Sequence, residues 1–322
     1  MSIKKITLLI LGIAVVFFLI FLYVFRSQVH IASKFLFPDI AQVRSDSNRT
    51  NFLILGIGGK DHTGGDLTDT IMLVSVNLKG QGVDVVSIPR DLWIPEIRAK
   101  INSAYHYGGT DLAKSSVEKV TGIKIQYSAI VDFSAFKDIV DALGGIQVDV
   151  ETGFSDKLYP IAGRENDTCS GDRTLACRYE TVTFVPGLQL MNGDTALKFV
   201  RSRHAEGPEG TDQAREARQQ KVIDAIKNKL LTPQIYLSLN MDKAIFNVLR
   251  NSVETDVDDK TAAIIARKVF DSRNSINKYL IPDGFLINPP ITSSYDKQYV
   301  LIPKEGNGKW EEIQKWISRL LK

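Results

Sequence analysis

Four arginines, with carboxylates and amides among them, crowd into the stretch Arg201-Ser-Arg203-His204…Asp212-Gln-Ala-Arg215-Glu-Ala-Arg218-Gln219-Gln220. Arg201 and Arg203 are two apart, so on an extended strand end both side chains point to the same side. Asp212, Arg215 and Gln219 follow an i, i+3, i+7 spacing that places them on one face of a helix. Guanidinium forks converging with an acid and an amide suit an anion rich in oxygens, and a pyrophosphate fits that description best. The competing reading is a solvated, salt-bridged helix entry in which Thr211 or Asp212 serves as the cap.

Two further polar clusters follow apolar runs. The loop Gly56-Ile-Gly58-Gly59-Lys60-Asp61-His62-Thr-Gly-Gly-Asp66-Leu67-Thr68-Asp69-Thr70 offers glycines that let backbone N–H groups approach an anion. Its Asp61, His62, Asp66 and Asp69 are potential metal ligands, the carboxylates being hard oxygen donors. It is neither a P-loop nor a complete G-x-G-x-x-G fingerprint, because the spacing is wrong for both. The second cluster is Ser87-Ile-Pro89-Arg90-Asp91, followed by Lys100-Ile-Asn102. Each loop alone reads equally well as charged surface.

The elements that must position these groups alternate between strand and helix. Apolar, β-rich runs at 51–57, 70–77 and 83–88 are bounded by turn residues, and 125–132 and 146–150 are strand-like. Helical spacing marks 111–121, ending at Gly122, and 133–143, ending at Gly144-Gly145. Residues 196–201 form a strand or short helix leading into the arginine pair, and 212–231 a helix halted before Pro233. The tail supplies a strand at 298–302 and a closing helix over 310–321. This interleaving predicts an α/β/α sandwich with a mixed central sheet covered on both faces. In such sheets ligands gather at the carboxyl ends of the strands, where the polar clusters stand.

The chain begins Met1-Ser-Ile-Lys4-Lys5, followed by an uncharged, almost wholly apolar run from Ile6 to Phe25. At roughly 1.5 Å per residue this run spans a bilayer's hydrocarbon core. A cleaved signal peptide has a shorter apolar region and a small-residue cleavage site, and no clear site follows here. Lys4 and Lys5 favour a cytoplasmic N-terminus, an asymmetry that Arg26 weakens. The expected layout is a short cytoplasmic segment 1–5, a transmembrane helix 6–25, an extracytoplasmic linker 26–50 and one catalytic domain 51–322. Cys169 and Cys177, eight apart in a polar loop, suit a disulfide staple better than a zinc site, which needs four ligands. A net charge of +3 is too mild to imply nucleic acid, and there is no helix-turn-helix signal.

Taken in order, these motifs resemble the LytR–CpsA–Psr family of extracytoplasmic phosphotransferases. The resemblance covers about 51–231. It includes the Leu-Gly-x-Gly opening, Thr68-Asp69-Thr70-Ile-Met-Leu, Ser87-Ile-Pro-Arg90-Asp91, Lys100-Ile-Asn-Ser-Ala-Tyr, Val140-Asp-Ala-Leu-Gly-Gly and Gly187-Leu-Gln-Leu-Met-Asn-Gly-Asp-Thr-Ala-Leu-Lys-Phe-Val-Arg201-Ser-Arg203. It implies a membrane-anchored envelope enzyme that transfers a glycopolymer from a polyprenyl pyrophosphate carrier to a peptidoglycan hydroxyl as a phosphodiester. It also implies a long apolar pocket for the polyprenyl chain. Carried onto this chain, Arg90, Arg201, Arg203 and Arg215 grip the pyrophosphate with help from Lys100. Asp69 holds Mg²⁺, with Mn²⁺ as an alternative, while Asp212 and Gln219 orient the arginines and the phosphate.

Two positions depart from the family pattern. Gly58 stands where a second metal-site aspartate is common, and Leu67 where an arginine is common. Asp61 or Asp66 is then expected to replace the carboxylate, and Lys60 the cation. His62 and His204 read as loop residues. Hydrolysis of the pyrophosphate and non-catalytic binding of the lipid phosphate are the competing functions.

Overall fold

The computed structural model describes residues 33–59, 64–230, 232, 247–248 and 250–321. The apolar run 6–25 and the residues Lys60, Asp61 and His62 lie outside them. Among the described residues no helix is long and apolar enough to cross a membrane.

In β1 (Arg49–Ile57), Leu53 and Leu55 enter one core while Phe52 and Ile54 join another. This is the alternation of a strand covered on both sides. β2 (Thr68–Asn77) and β3 (Val83–Ser87) continue antiparallel from it. α1 (Ala104–Thr121) follows and ends at Gly122, whose φ of +70° gives a left-handed cap. The helix starts earlier than its spacing suggests and breaks at Gly108–Gly109, where Gly109 takes φ +59°. β4 (Tyr127–Asp132) returns parallel to β1, and Asp132 then caps α2 (Phe133–Ala142) by accepting from Ala135 N at 2.7 Å.

The next strands leave the central sheet. β5 (Ile146–Val150) pairs with β8 (Gly187–Met191), and β6 (Phe154–Pro160) pairs with β7 (Tyr179–Phe184). α3 (Gly193–Arg201) and α4 (Asp212–Leu230) pack with α2 on these ribbons around Phe154, Phe184, Phe199 and Val222. α3 approaches α2 so closely that a Cβ on Gly193 would sit 2.4 Å from Lys137 O. Cys169 and Cys177 are joined by a disulfide in the loop between β6 and β7.

The chain then re-enters the sheet with β9 (Glu254–Thr255), α5 (Asp259–Asp271) and β10 (Ile276–Leu280), and closes with α6 (Glu311–Leu320). The finished sheet has the order β9-β4-β1-β2-β3-β10, with parallel pairs at β1–β4 and β3–β10. α1 and α6 cover one face, around Leu53, Leu73, Val117 and Ile313. α5 covers part of the other through Ile264. The expected three-layer arrangement with a mixed sheet is therefore present.

Three expectations need correction. The strand at 146–150 lies in a side ribbon, because its outward residues Gln147 and Asp149 are exposed and only one face is buried. The strand expected at 298–302 shrinks to Ile302–Pro303, paired with Leu286–Ile287 outside the sheet. The folded unit also starts before residue 51: Val43 is buried beside Phe52 and Tyr127, and Arg44 N donates to Tyr127 Oη at 3.0 Å.

Candidate active site

The carboxyl end of β1 sits between two aspartates on its neighbours. On one side Gly56 pairs with Thr70 and Ile57 with Thr68, so Asp69 occupies a bulge and is released from the ladder. A Cβ at Gly56 would meet Thr70 Cβ at 3.0 Å, so this crowded bulge leaves little room for a side chain there. On the other side Asp132 pairs with Ile57 at the end of β4.

Asp69 gathers the arginines. Its Oδ1 accepts from Arg90 Nη1 at 2.5 Å and from Arg203 Nη2 at 2.8 Å. Arg90 stands on the turn after β3, and Arg203 on the loop after α3. Two guanidinium groups on one carboxylate oxygen bring cations from distant sequence to one spot.

The approach of Arg201 and Arg203 differs from the strand-end alternative. Residues 193–201 are helical, and Arg201 is the last residue of α3. The chain turns sharply at buried Ser202, whose N still bonds Lys198 O at 3.1 Å. Asp156, fully buried on β6, then accepts from Arg203 N at 3.0 Å and His204 N at 3.2 Å. The guanidinium of Arg201 lies 4.0 Å from the Phe133 ring centre and 5.6 Å from that of Tyr159. Such stacking holds the planar cation in place. Burial raises the Tyr159 hydroxyl pKa above its ordinary value, although Arg201 opposes it. Arg201 therefore meets a neutral phenol at neutral pH.

The fourth arginine of the motif does different work. Arg218 is buried, donating to Phe199 O (2.9 Å), Ser202 O (2.6 Å), Glu209 O (2.8 Å) and Glu209 Oε2 (2.8 Å). Burial lowers its pKa, with Glu209 pulling the other way. It ties the arginine loop to α4 and fixes where Arg203 can reach.

Asp69, Asp132, Arg201, Arg203, His204, Arg215 and Gln219 line one cavity of about 560 Å³. Its remaining wall is apolar, with Ile54, Met72, Phe136, Ile139, Val222 and Ile226 drawn from the sheet and from α2 and α4. The polar end can neutralise a di-anion, and the apolar end can take a hydrocarbon chain. The part-buried Ile54 and Met72 explain themselves: on this stretch the cavity, not a helix, covers the sheet.

Some expected site residues are placed elsewhere. Lys100 does not line the cavity; its Nζ is 2.7 Å from Asp91 Oδ1, and Asp91 in turn lies 3.7 Å from Arg90 Nε. It thus supports the Arg90 turn. Asp66 does not line the cavity, and His106 Nδ1 holds it at 2.7 Å. That contact also holds the Asp66 pKa below its ordinary value. Asp61 and the side chain of Asp212 lie outside the described residues. Asp132 and Asp156 were missed as site residues. Asp132 stands in the stretch Val131-Asp-Phe that forms part of the family resemblance, without a role of its own there, and Asp156 carries no local signal.

Among the described residues no group of three metal-type ligands includes Asp69; the one such group is Asp167 with the disulfide cysteines. The described residues around Asp69 therefore build no all-protein cation cage. A single carboxylate beside a phosphate-sized anion site does fit Mg²⁺, which commonly takes one or two carboxylates and completes its shell with substrate phosphates and water.

The LytR_cpsA_psr family profile matches residues 26–305. The polyisoprenyl-teichoic acid–peptidoglycan teichoic acid transferase TagU of Bacillus subtilis (strain 168) is 32% identical over 209 residues, 64% of this chain and 59% of that protein. The regulatory protein MsrR of Staphylococcus aureus (strain COL) is 29% identical over 222 residues, 67% of this chain and 59% of that protein. The chain thus matches about three fifths of the length of these relatives. The crystal structure of B. subtilis TagV superposes with a TM-score of 0.62 at 24% identity, covering 86% of this chain and 98% of that one. The structure of B. subtilis TagU gives 0.54 at 26% identity, covering 86% and 98%. With the profile matching most of its length, the chain belongs to the LytR_cpsA_psr family.

Proposed function

We propose that this chain is a membrane-anchored phosphotransferase. It would take a glycopolymer from a polyprenyl pyrophosphate carrier and join it to a peptidoglycan hydroxyl as a phosphodiester. The observation that carries this reading is the single cavity that is arginine-rich at one end and apolar along the rest. A lipid pyrophosphate has that same division. Relatives named as teichoic acid transferases make an anionic glycopolymer a natural cargo. The apolar run 6–25 would tether the domain outside the membrane that holds the lipid substrate.

In the reaction the acceptor oxygen bonds to the glycan-side phosphorus and the bond to the polyprenyl phosphate breaks. The hydroxyl proton leaves to the departing phosphate or to water. Phosphoryl transfer asks chiefly for alignment and charge neutralisation. Arg201, Arg203 and Arg215 supply the charge, while Arg90 acts through Asp69, holding its carboxylate in position. Gln219 orients the phosphate. When bound, Mg²⁺ would be held by Asp69 and would neutralise further phosphate charge.

The test uses the full-length chain in detergent with a polyprenyl pyrophosphate-linked oligosaccharide and peptidoglycan fragments, with and without Mg²⁺. A phosphodiester-linked product that disappears in Arg203→Ala and Asp69→Ala is the expected result. Release of polyprenyl phosphate without a linked product would identify a hydrolase, and binding without either would identify a lipid-binding protein.

A further inference from the structure

Beside the arginine end of the cavity lies a smaller cleft of about 250 Å³. The two spaces share Asp132, Phe133, Pro160, Leu197 and Arg201, so the Arg201 guanidinium stands in their common wall. Their linings differ in kind. Among the described residues the cleft holds three carboxylates (Asp132, Glu180, Asp194) and three cations (Lys137, Lys198, Arg201). Those formal charges cancel, so a phosphate entering the cleft would meet as many like charges as opposite ones. A neutral ring of hydroxyls both donates and accepts, and here it would find both kinds of partner within a few ångströms.

The polar groups are also held firmly. Lys198 Nζ lies 3.0 Å from Glu180 Oε1 and 3.1 Å from Asp194 Oδ2, which links β7 to α3. Each carboxylate keeps acceptor capacity beyond that one contact. The cleft is smaller than the roughly 300–1,000 Å³ of sites for drug-sized ligands, which suits a single sugar ring.

The geometry points to this cleft as a sugar subsite: it takes one neutral hexopyranose beside the pyrophosphate and aligns it with Arg201. That ring is either the first sugar of the donor glycan or the acceptor sugar carrying the attacking hydroxyl. The inference rests on the transferase reading above and specifies where that reaction holds its carbohydrate.

Two variants of the full-length chain test it. Ala162→Trp fills the cleft from an exposed wall position, and Glu180→Gln removes one charged acceptor. Three quantities are measured: the Kd for polyprenyl pyrophosphate lacking any sugar, the KM for the glycan donor, and the KM for a peptidoglycan fragment. Loss of a charged hydrogen bond predicts a rise of roughly tenfold or more in one of the two KM values, with bare lipid binding within about twofold of wild type. A higher donor KM identifies the ring as the donor's, and a higher acceptor KM identifies it as the acceptor's. Both KM values unchanged in both variants overturns the sugar subsite and leaves the transferase reading intact. If the wild-type chain fails to bind the bare lipid, the transferase reading itself falls, and the subsite with it.

Discussion

Arg203 and Arg218 belong to one motif, yet they should fail in opposite ways. Arg218→Ala removes four hydrogen bonds and leaves the carbonyls of Phe199, Ser202 and Glu209 and the Glu209 carboxylate without that partner. Breaking a buried ion pair by deleting one member costs about 3–5 kcal/mol. At about 2–4 °C per kcal/mol for a domain of this size, the melting midpoint should fall by roughly 6–20 °C. The Arg203–Asp69 pair is half exposed, at 41% and 39% of the two side chains, and such pairs contribute about 0–1 kcal/mol. Arg203→Ala should therefore melt within about 4 °C of wild type. Its loss should appear in affinity instead: a charged hydrogen bond of about 1.5–3 kcal/mol corresponds to roughly a 10- to 150-fold weaker Kd for polyprenyl pyrophosphate. Differential scanning fluorimetry and lipid titration on both variants supply the comparison. Equal destabilisation by the two substitutions, or an Arg218→Ala midpoint within about 2 °C of wild type, would refute the division between a strut and a ligand-binding group.

Gly193→Ala should destabilise by roughly 1–3 kcal/mol or more, because the new methyl overlaps Lys137 backbone rather than a side chain that can move; a wild-type urea midpoint would contradict this. Asp69→Asn keeps the shape but removes the charge, and should abolish Mg²⁺ stimulation of transfer; persistent stimulation would exclude Asp69 as the metal-holding group. Asp256 gives a pH dependence. Burial raises its pKa, but Lys114 and Ser128 N, at 2.8 and 2.7 Å, with Arg44, hold it below the ordinary 3.8. A carboxyl group depressed in this way contributes its full stability above its unfolded pKa and loses it as pH falls through the folded value. The urea-midpoint gap between wild type and Asp256→Asn should therefore be widest near neutral pH and close below about pH 4. A gap that does not change with pH would refute the assignment.

Much of this protein was legible along the chain because the signals are local. The period-two alternation in β1 marks a two-faced strand, Asp132 caps the helix that follows it, and Gly122 ends α1 with a left-handed residue that other side chains avoid. The sequence by itself also determined which residue types cluster at strand ends, and hence the expectation of an anionic ligand. What it could not contain was the meeting of distant segments. Arg90, Asp69 and Arg203 converge only because β2 bulges at Asp69 and Asp156 on β6 pins the turn after α3. Asp66 precedes Asp69 by three residues, yet it pairs with His106 on α1 rather than lining the cavity. Arg218 looks like its neighbours in sequence and becomes a buried strut only once α4 covers the arginine loop. The side ribbon, the apolar cavity and the balanced cleft likewise arise from packing. Spacing along one element decides which side chains share a face. Which faces meet is decided by burial across the whole chain, and that choice sets the site.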